Sequence, residues 1–518
     1  MDFWRSVRKE CQYCLAGVFL FGLFAHGFAF TNKLVCADEA TYTFSIGRTF
    51  ELGRFTLGLI EWLLNATVGK YSMPFFSGIL SLCFIGLSCC LMMSLLKIRD
   101  PRICFLSGAI MAVYPTVTNT FCYMYTAPSY FLSLLLILLS VYFFSGRKLI
   151  SLAAGVFLTV LSLGIYQAYL AVGIVVIMLI LMRQLIDPGT SDKDVFLSAA
   201  RYGVGLTVSL LTYLLVMKAC ISAFHINLMN YQGAGSILSF NIPDRLYLVM
   251  QCYKNLIKMA VTDVQGLSSV PAVRLSIILM LCLIILLGII AGRQGKGLRR
   301  VLYFVLMALL PVGLNFVYPM TSRQTTVYPL MRYSLCLLWI IPMYFMTLIE
   351  HAGKEKEDSS KGTIRKALTY SFAAAFGVTL FVYCHLANAV YFKTLLMQNR
   401  AELYYASLIT RIKSMDGYHD EYPVAFVGVG HQDKMYYNED QFPAINILFL
   451  DEKPMVYLDL YDGRRFLENF LGFAPEWYDG DLAPYLDEID EMSVYPDDGS
   501  VRIIDDKIFV NFGDYLDE

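Results

Sequence analysis

The sequence predicts a mainly α, polytopic membrane protein of about eleven transmembrane helices, ending in a small α/β domain. Three observations predict it. The chain is 57% hydrophobic and only 16% charged, against about 25% charged in soluble proteins, and its apolar residues fall in repeated runs near twenty long, enough to cross ~30 Å of hydrocarbon. Lys and Arg gather in alternate connections between those runs. Charge is also divided along the chain. Residues 416–518 hold 6 Lys and Arg against 25 Asp and Glu, leaving 35 against 17 in the remainder, so the two regions meet different surroundings.

The runs lie near 11–31, 74–96, 102–118, 127–145, 149–166, 168–186, 200–222, 272–292, 300–318, 328–349 and 367–387. The first follows a short basic segment but has no small-residue cleavage site, so it reads as a retained span and not a signal peptide. One side of the bundle carries Arg5, Arg8 and Lys9, then Lys97, Arg99 and Arg102, then Arg147 and Lys148. The same side continues with Arg183, Lys193 and Arg201, with Arg293, Lys296, Arg299 and Arg300, and with the polar hinge HAGKEKEDSSKGTIRK. That bias makes this side cytoplasmic. The N-terminus is then cytoplasmic, loops 32–73, 119–126, 223–271 and 319–327 face outward, and an odd number of spans puts the C-terminal domain outside too.

The chain divides into a membrane domain, 1–387, and an acidic extracytoplasmic α/β domain, 388–518. In the latter LLMQNRAELYYASLITRIKSM reads as helix, while PVAFVGVG and PMVYLDLYDG read as strands. SVRIIDDKIFVNF reads as a hairpin turning at Asp505 and Asp506. GVG after a strand lacks the rest of a dinucleotide fingerprint. The 13 cysteines lie mostly in apolar runs as small buried hydrophobes. A Cys36–Cys252 bridge is a minor alternative, and no Cys or His spacing indicates a zinc site beyond the isolated Cys11/Cys14 pair.

The chemistry-bearing segment is CADEATYTFSIGRTFELGRF, residues 36–55, between the first two spans. Asp38 and Glu39 follow the first span directly. Carboxylates near hydrocarbon have raised pKa values unless solvated or paired, and such a group can accept a proton as a general base. At 100° per residue, Arg54, Gly58, Glu61 and Asn65 share one face of a helix, and Phe55, Leu59, Trp62 and Leu63 share another. This describes an amphipathic helix in the interface plane, with Arg54 available to a phosphate. The competing reading is a plain connector with a snorkelling Arg and solvated acids.

The acidic pair after the first span, GRF at 53–55, AVYPTVTNTFCYMYTAPSYFLSLLLILLS at 112–140, LSLGIYQAYLAV at 161–172 and YPLMRYSL at 328–335 together resemble the serotype-converting glucosyltransferase family of bacteria and phage, within the GT-C superfamily. The resemblance covers roughly 30–350. It implies a GT-C-like bundle that moves a hexose, glucose in this family, from a polyprenyl phosphate-sugar to a cell-surface glycan or glycolipid outside the cytoplasmic membrane. It also implies a companion flippase and a polyprenyl-phosphate glucosyltransferase as suppliers. The catalytic pair it implies is Asp38 and Glu39; the family often has Asp-Asp there, which leaves open which of the two is the base. No cofactor or metal is indicated, and nothing suggests nucleic acid.

Other residues are candidates beside these. Tyr166 and Gln167, at an outer turn, are candidates for sugar or acceptor contact, against a plain helical-hairpin turn. Arg332 lies just inside a span, where an unpaired cation is costly, and is a stronger candidate than Arg323 for donor phosphate; a structural pair with a carboxylate such as Asp38 or Glu39 is the alternative. Asn119, Tyr123 and Tyr125 read as interfacial residues, with sugar contact the minor alternative, His26 as a helix contact, and the stretch around Asp244 and Arg245 as an amphipathic lid. Two other function classes remain open. A transporter or flippase of lipid-linked sugars requires polar groups distributed at mid-membrane depth, and a surface-polymer ligase places its chemistry in a late outer loop.

Overall fold

The computed structural model describes residues 8–36, 38–226, 242–262, 267–268, 270–323, 326–352, 359–428 and 460–513, with side chains undescribed over 351–369 and 460–462. The helices are α1 (Lys9–Thr31), α2 (Glu39–Tyr42), α3 (Phe55–Thr67), α4 (Pro74–Leu96), α5 (Pro101–Val113), α6 (Pro115–Phe121), α7 (Ala127–Phe144) and α8 (Leu149–Leu163). They continue with α9 (Leu170–Ile186), α10 (Asp192–Phe224), α11 (Ile242–Val261), α12 (Pro271–Gly292), α13 (Gly297–Leu314), α14 (Leu337–Ala352) and α15 (Ser359–Lys413). After β1 (Val424–Val427) come α16 (Leu460–Leu471), α17 (Leu486–Asp490), β2 (Val501–Ile504) and β3 (Lys507–Asn511).

Among the described residues, nine helical stretches are long and apolar enough to cross a membrane, and α5 with α6 forms a tenth, bent by 44°. The apolar helix α8 is shorter, at 15 residues. These account for the eleven expected runs, and the chain is a polytopic membrane protein. The differences from expectation have local causes. The run at 102–118 breaks because Pro115 has no N–H to give and forces Tyr114 to an extended ψ of 135°. The run at 328–349 begins as a 3-10 stretch, Pro329–Cys336, with a kink at Arg332. Along α10, Val204, Val208, Leu211 and Leu215 are all exposed; at helical spacing they form an apolar stripe suited to lipid.

The contacts divide the chain into two units. One comprises residues 1–32 and 45–388, the other 33–44 and 389–518. The short segment carrying Asp38 and Glu39 thus groups with the C-terminal residues. In the first unit α1 packs on α4 and α5, α7 on α4 and α8, α9 on α13, and α12 on α14. The α1–α5 crossing is close: a Cβ at Gly17 would fall 2.1 Å from the Phe105 carbonyl oxygen, and one at Gly108 2.3 Å from that of Cys14. Small residues that let backbones approach are a common device of membrane helix packing. His26 Nε2 lies 2.9 Å from the Ala112 carbonyl oxygen across the same pair, the helix contact expected of it.

In the second unit a three-stranded sheet of order β1-β3-β2 has β1 parallel and β2 antiparallel to β3. The hairpin turns at Asp505 and Asp506, whose φ values of 49° and 56° suit the tight turn that matches strand twist. Val35, Ala40, Tyr405, Leu408, Phe466 and Ile508 share its core. Of the strand expected over 454–463, residues 454–459 lie outside the described residues, while Leu460 to Gly463 open α16 instead. Cys36 and Cys252 are free, buried thiols, and no described group of His, Cys, Asp or Glu is placed to hold a metal.

The α1–α5 contact generates a paired expectation. Gly108→Ala must push the helices apart and lose about 1–3 kcal/mol, read as a fall in thermal stability of the detergent-purified chain. Gly27→Ala, where a Cβ meets nothing within 4 Å, should leave the melting temperature in place.

Candidate active site

Two constellations hold the sequence-derived candidates. The first is in the second unit. The Val35 N–H donates to Gln398 Oε1 at 3.0 Å and Asn469 Nδ2 donates to the Ala40 carbonyl at 2.8 Å, so the segment with α2 is tied to α15 and α16. Asp38 occupies the N-cap of α2, and its carbonyl accepts from the N–H groups of Thr41 and Tyr42 at 3.1 and 3.0 Å. Its side chain is exposed. Glu39 is wholly buried and forms an ion pair with Lys33, while the Thr43 hydroxyl donates to its carbonyl at 2.6 Å. Adjacent carboxylates thus have opposite environments, the usual basis for giving two acids different tasks.

The second constellation is in the membrane bundle. Gly53, at φ +70°, turns the chain into α3, and a Cβ there would meet the Tyr213 hydroxyl at 2.7 Å. That turn sets Arg54 at the N-cap of α3. Its Nη1 donates to the Tyr130 hydroxyl at 2.9 Å, and the guanidinium lies 5.6 and 5.7 Å from the ring centroids of Tyr130 and Tyr166. These two rings stack at 4.1 Å and 9°. The Tyr166 hydroxyl is buried and without a hydrogen-bonding partner among the described residues. Gln167 Nε2 donates to the Leu52 carbonyl at 3.2 Å and to the Tyr213 hydroxyl at 3.0 Å, and that hydroxyl donates to the Gly53 carbonyl at 3.2 Å. In this geometry Gln167 pins the turn that delivers Arg54.

An aromatic row leads from here to Arg332. Tyr166 meets Tyr169 edge-on at 5.4 Å, and Tyr169 meets Tyr333 at 5.5 Å. Arg332, the residue before Tyr333, is 6% exposed. Its Nη2 donates to the Tyr318 hydroxyl and, at 3.3 Å, to the Val327 carbonyl. Its Nε has no partner, and no carboxylate pairs with it, among the described residues.

Arg323 differs. It pairs with Asp244 at 2.6 Å and lies 4.6 Å from the Tyr247 ring centroid. Arg245 donates back to the carbonyls of Pro319 and Thr321 at 2.7 and 3.1 Å. These contacts lace α11 to the loop after α13. Tyr130, Tyr213, Tyr318 and Lys33 were not singled out from sequence. Tyr130 carries a faint signal, a polar aromatic two residues after a helix-starting Pro128, but the partners of the others are fixed only by folding.

Fold and site together define a multi-pass membrane protein with a buried arginine–tyrosine row and a pair of carboxylates after its first span. The chain belongs to the glucosyl transferase GtrII family, whose family model matches residues 27–343, and it is accordingly a membrane glucosyltransferase. All seven site candidates, from Asp38 to Arg332, fall within the matched stretch. No curated protein and no solved structure matches the chain.

The Tyr213 hydroxyl accepts from Gln167 and donates to Gly53, so Tyr213→Phe should cost about 1–3 kcal/mol. Denaturant or thermal unfolding reads the loss, and limited proteolysis should show faster cutting over residues 45–54.

Proposed function

We propose that the chain transfers glucose from a polyprenyl phosphate donor to a cell-surface glycan or glycolipid, at the outer face of the cytoplasmic membrane, with inversion at the anomeric carbon. The observation that carries the donor site is Arg332. A buried guanidinium without a carboxylate loses several kcal/mol of hydration that its two neutral partners return only in part. A phosphate supplies the missing charge and an acceptor for Nε. Arg54, beside its stacked tyrosines, serves the same phosphate, since arginine matches phosphate oxygens bidentately. The Tyr166 hydroxyl donates to a sugar oxygen, and Gln167 holds the Arg54 turn while its amide oxygen serves the acceptor. Arg323, already paired with Asp244, keeps α11 in place beside the site.

The acceptor hydroxyl attacks the anomeric carbon, its proton passes to a carboxylate of the 38–39 pair, and the bond to the donor phosphate breaks with its electrons going to the phosphate oxygen. The exposure of Asp38 and the burial of Glu39 against Lys33 favour Asp38 as the base and Glu39 as the residue that fixes α2. The chain's own cations stabilise the departing phosphate. In this arrangement the N-terminus is cytoplasmic and the carboxylates and C-terminal domain are extracytoplasmic. The bilayer, a donor-lipid synthase and a donor flippase are the partners it needs.

The test is transfer from polyprenyl phosphate-glucose to extracted surface glycan by the purified chain. Asp38→Asn should lower kcat by about 10²–10⁴-fold, the usual range for a general base, with donor KM little changed. Glu39→Gln should lower thermal stability more than kcat. Arg332→Gln should raise donor KM. Full activity of Asp38→Asn and Glu39→Gln alike would remove the carboxylates from the mechanism.

A further inference from the structure

At the end of the bundle opposite Tyr166, where α7 gives way to α8, lies a cavity of about 300 Å³ that the transfer reaction does not use. That volume is at the small end of the ~300–1,000 Å³ typical of ligand pockets. Phe144 closes it on the bundle side. Its ring packs closely against Gly155 and Gly205, where an added Cβ would come within 2.5 or 2.6 Å. The walls are polar and include Arg147, Arg201, Gln184, Thr190 and Asp194.

Arg201 donates to the carbonyls of Gly146, at 2.6 Å, and Arg147, which ties α10 to the turn after α7 and holds the guanidinium at the cavity wall. Arg147 donates to Asp194 at 3.2 Å with both side chains largely exposed; such a pair is weak, and a phosphate oxygen competes for the same guanidinium. On the inner side Gln184 Oε1 is buried with no hydrogen-bonding partner among the described residues. A buried amide oxygen calls for a donor. The walls therefore ask for a ligand with an anion at one end and an O–H or N–H at the other. Exposed Leu149, Ile150 and Phe196 sit near the starts of α8 and α10, and exposed apolar side chains beside a polar cavity suit a lipid neighbour.

We propose that this cavity seats a phosphodiester headgroup bearing a hydrogen-bond donor, supplied by a bilayer phospholipid: phosphate on Arg147 and Arg201, and the headgroup ammonium or hydroxyl on Gln184 Oε1. Basic recesses between helices at the membrane boundary bind lipid headgroups on this principle. The proposal is independent of the transfer mechanism.

The test places the full chain in nanodiscs and reads bound lipid by native mass spectrometry and thermal stability. Phosphatidylethanolamine and phosphatidylglycerol, which carry donors, should be retained and should raise the melting temperature over phosphatidylcholine, which carries the phosphate without one. Arg147→Ala should weaken retention about fivefold, and Gln184→Met should abolish the preference for ethanolamine over choline while the protein still folds. Equal retention of all three lipids by the unsubstituted chain overturns the proposal. Equal stabilisation by sn-glycerol 3-phosphate in detergent overturns the lipid source in favour of a soluble phosphate ester.

Discussion

A guanidinium sealed inside an apolar helix bundle must find negative charge or forgo much of its hydration. Arg332 is in that position, with a phenol and a backbone carbonyl in place of a carboxylate among the described residues. The surrounding structure follows from keeping it there. The 3-10 stretch kinks at Arg332, Tyr318 comes off the loop after α13 to meet it, and Asp244, Arg245 and Arg323 lace α11 across that loop. A row of edge-packed tyrosines then runs through Tyr333 and Tyr169 to Tyr166, where Arg54 is held against two stacked rings. Aromatic faces carry a partial negative charge that steadies a cation without neutralising it, and both arginines lie against tyrosine rings.

The acidic pair rests on a different foundation. Asp38 and Glu39 lie within the stretch that matches the GtrII family, yet the segment around them packs on α15 and α16, and most of that second unit lies beyond the match. Val35 and Ala40 contribute to its core, and Gln398 and Asn469 hold the segment's backbone. The C-terminal residues therefore help fix the conformation of the segment whose carboxylates are proposed as the reaction's base. Their apolar side chains share a core with Val35 and Ala40 of the segment that carries Asp38 and Glu39.

Much of the fold was legible because hydrocarbon imposes a one-dimensional rule: a segment long and apolar enough crosses, and its backbone must satisfy itself as a helix. The hairpin at Asp505 and Asp506 was legible for a local reason too, since two residues that tolerate positive φ stood between alternating strands. The break at Tyr114–Pro115 was written in the sequence and missed only because apolarity continues through it. Of the site, Asp38, Glu39, Arg54 and Arg332 stood out as charges next to or inside apolar runs. Their partners did not. Tyr130 lies 76 residues from Arg54, and many other tyrosines of this chain look the same in sequence.

The sequence by itself determined that this chain threads a membrane, that its termini differ in charge environment, and which few charges sit where charge is expensive. Only the tertiary structure decided that Glu39 is buried on Lys33 while Asp38 is exposed, that Arg323 is occupied by Asp244 while Arg332 meets no carboxylate among the described residues, and that residues 33–44 group with the far end of the chain. The physical reason is range. Apolarity and helix formation are set by neighbours along the chain, whereas burial and pairing depend on which residues folding brings together, from 6 positions apart for Lys33 and Glu39 to 363 for Val35 and Gln398.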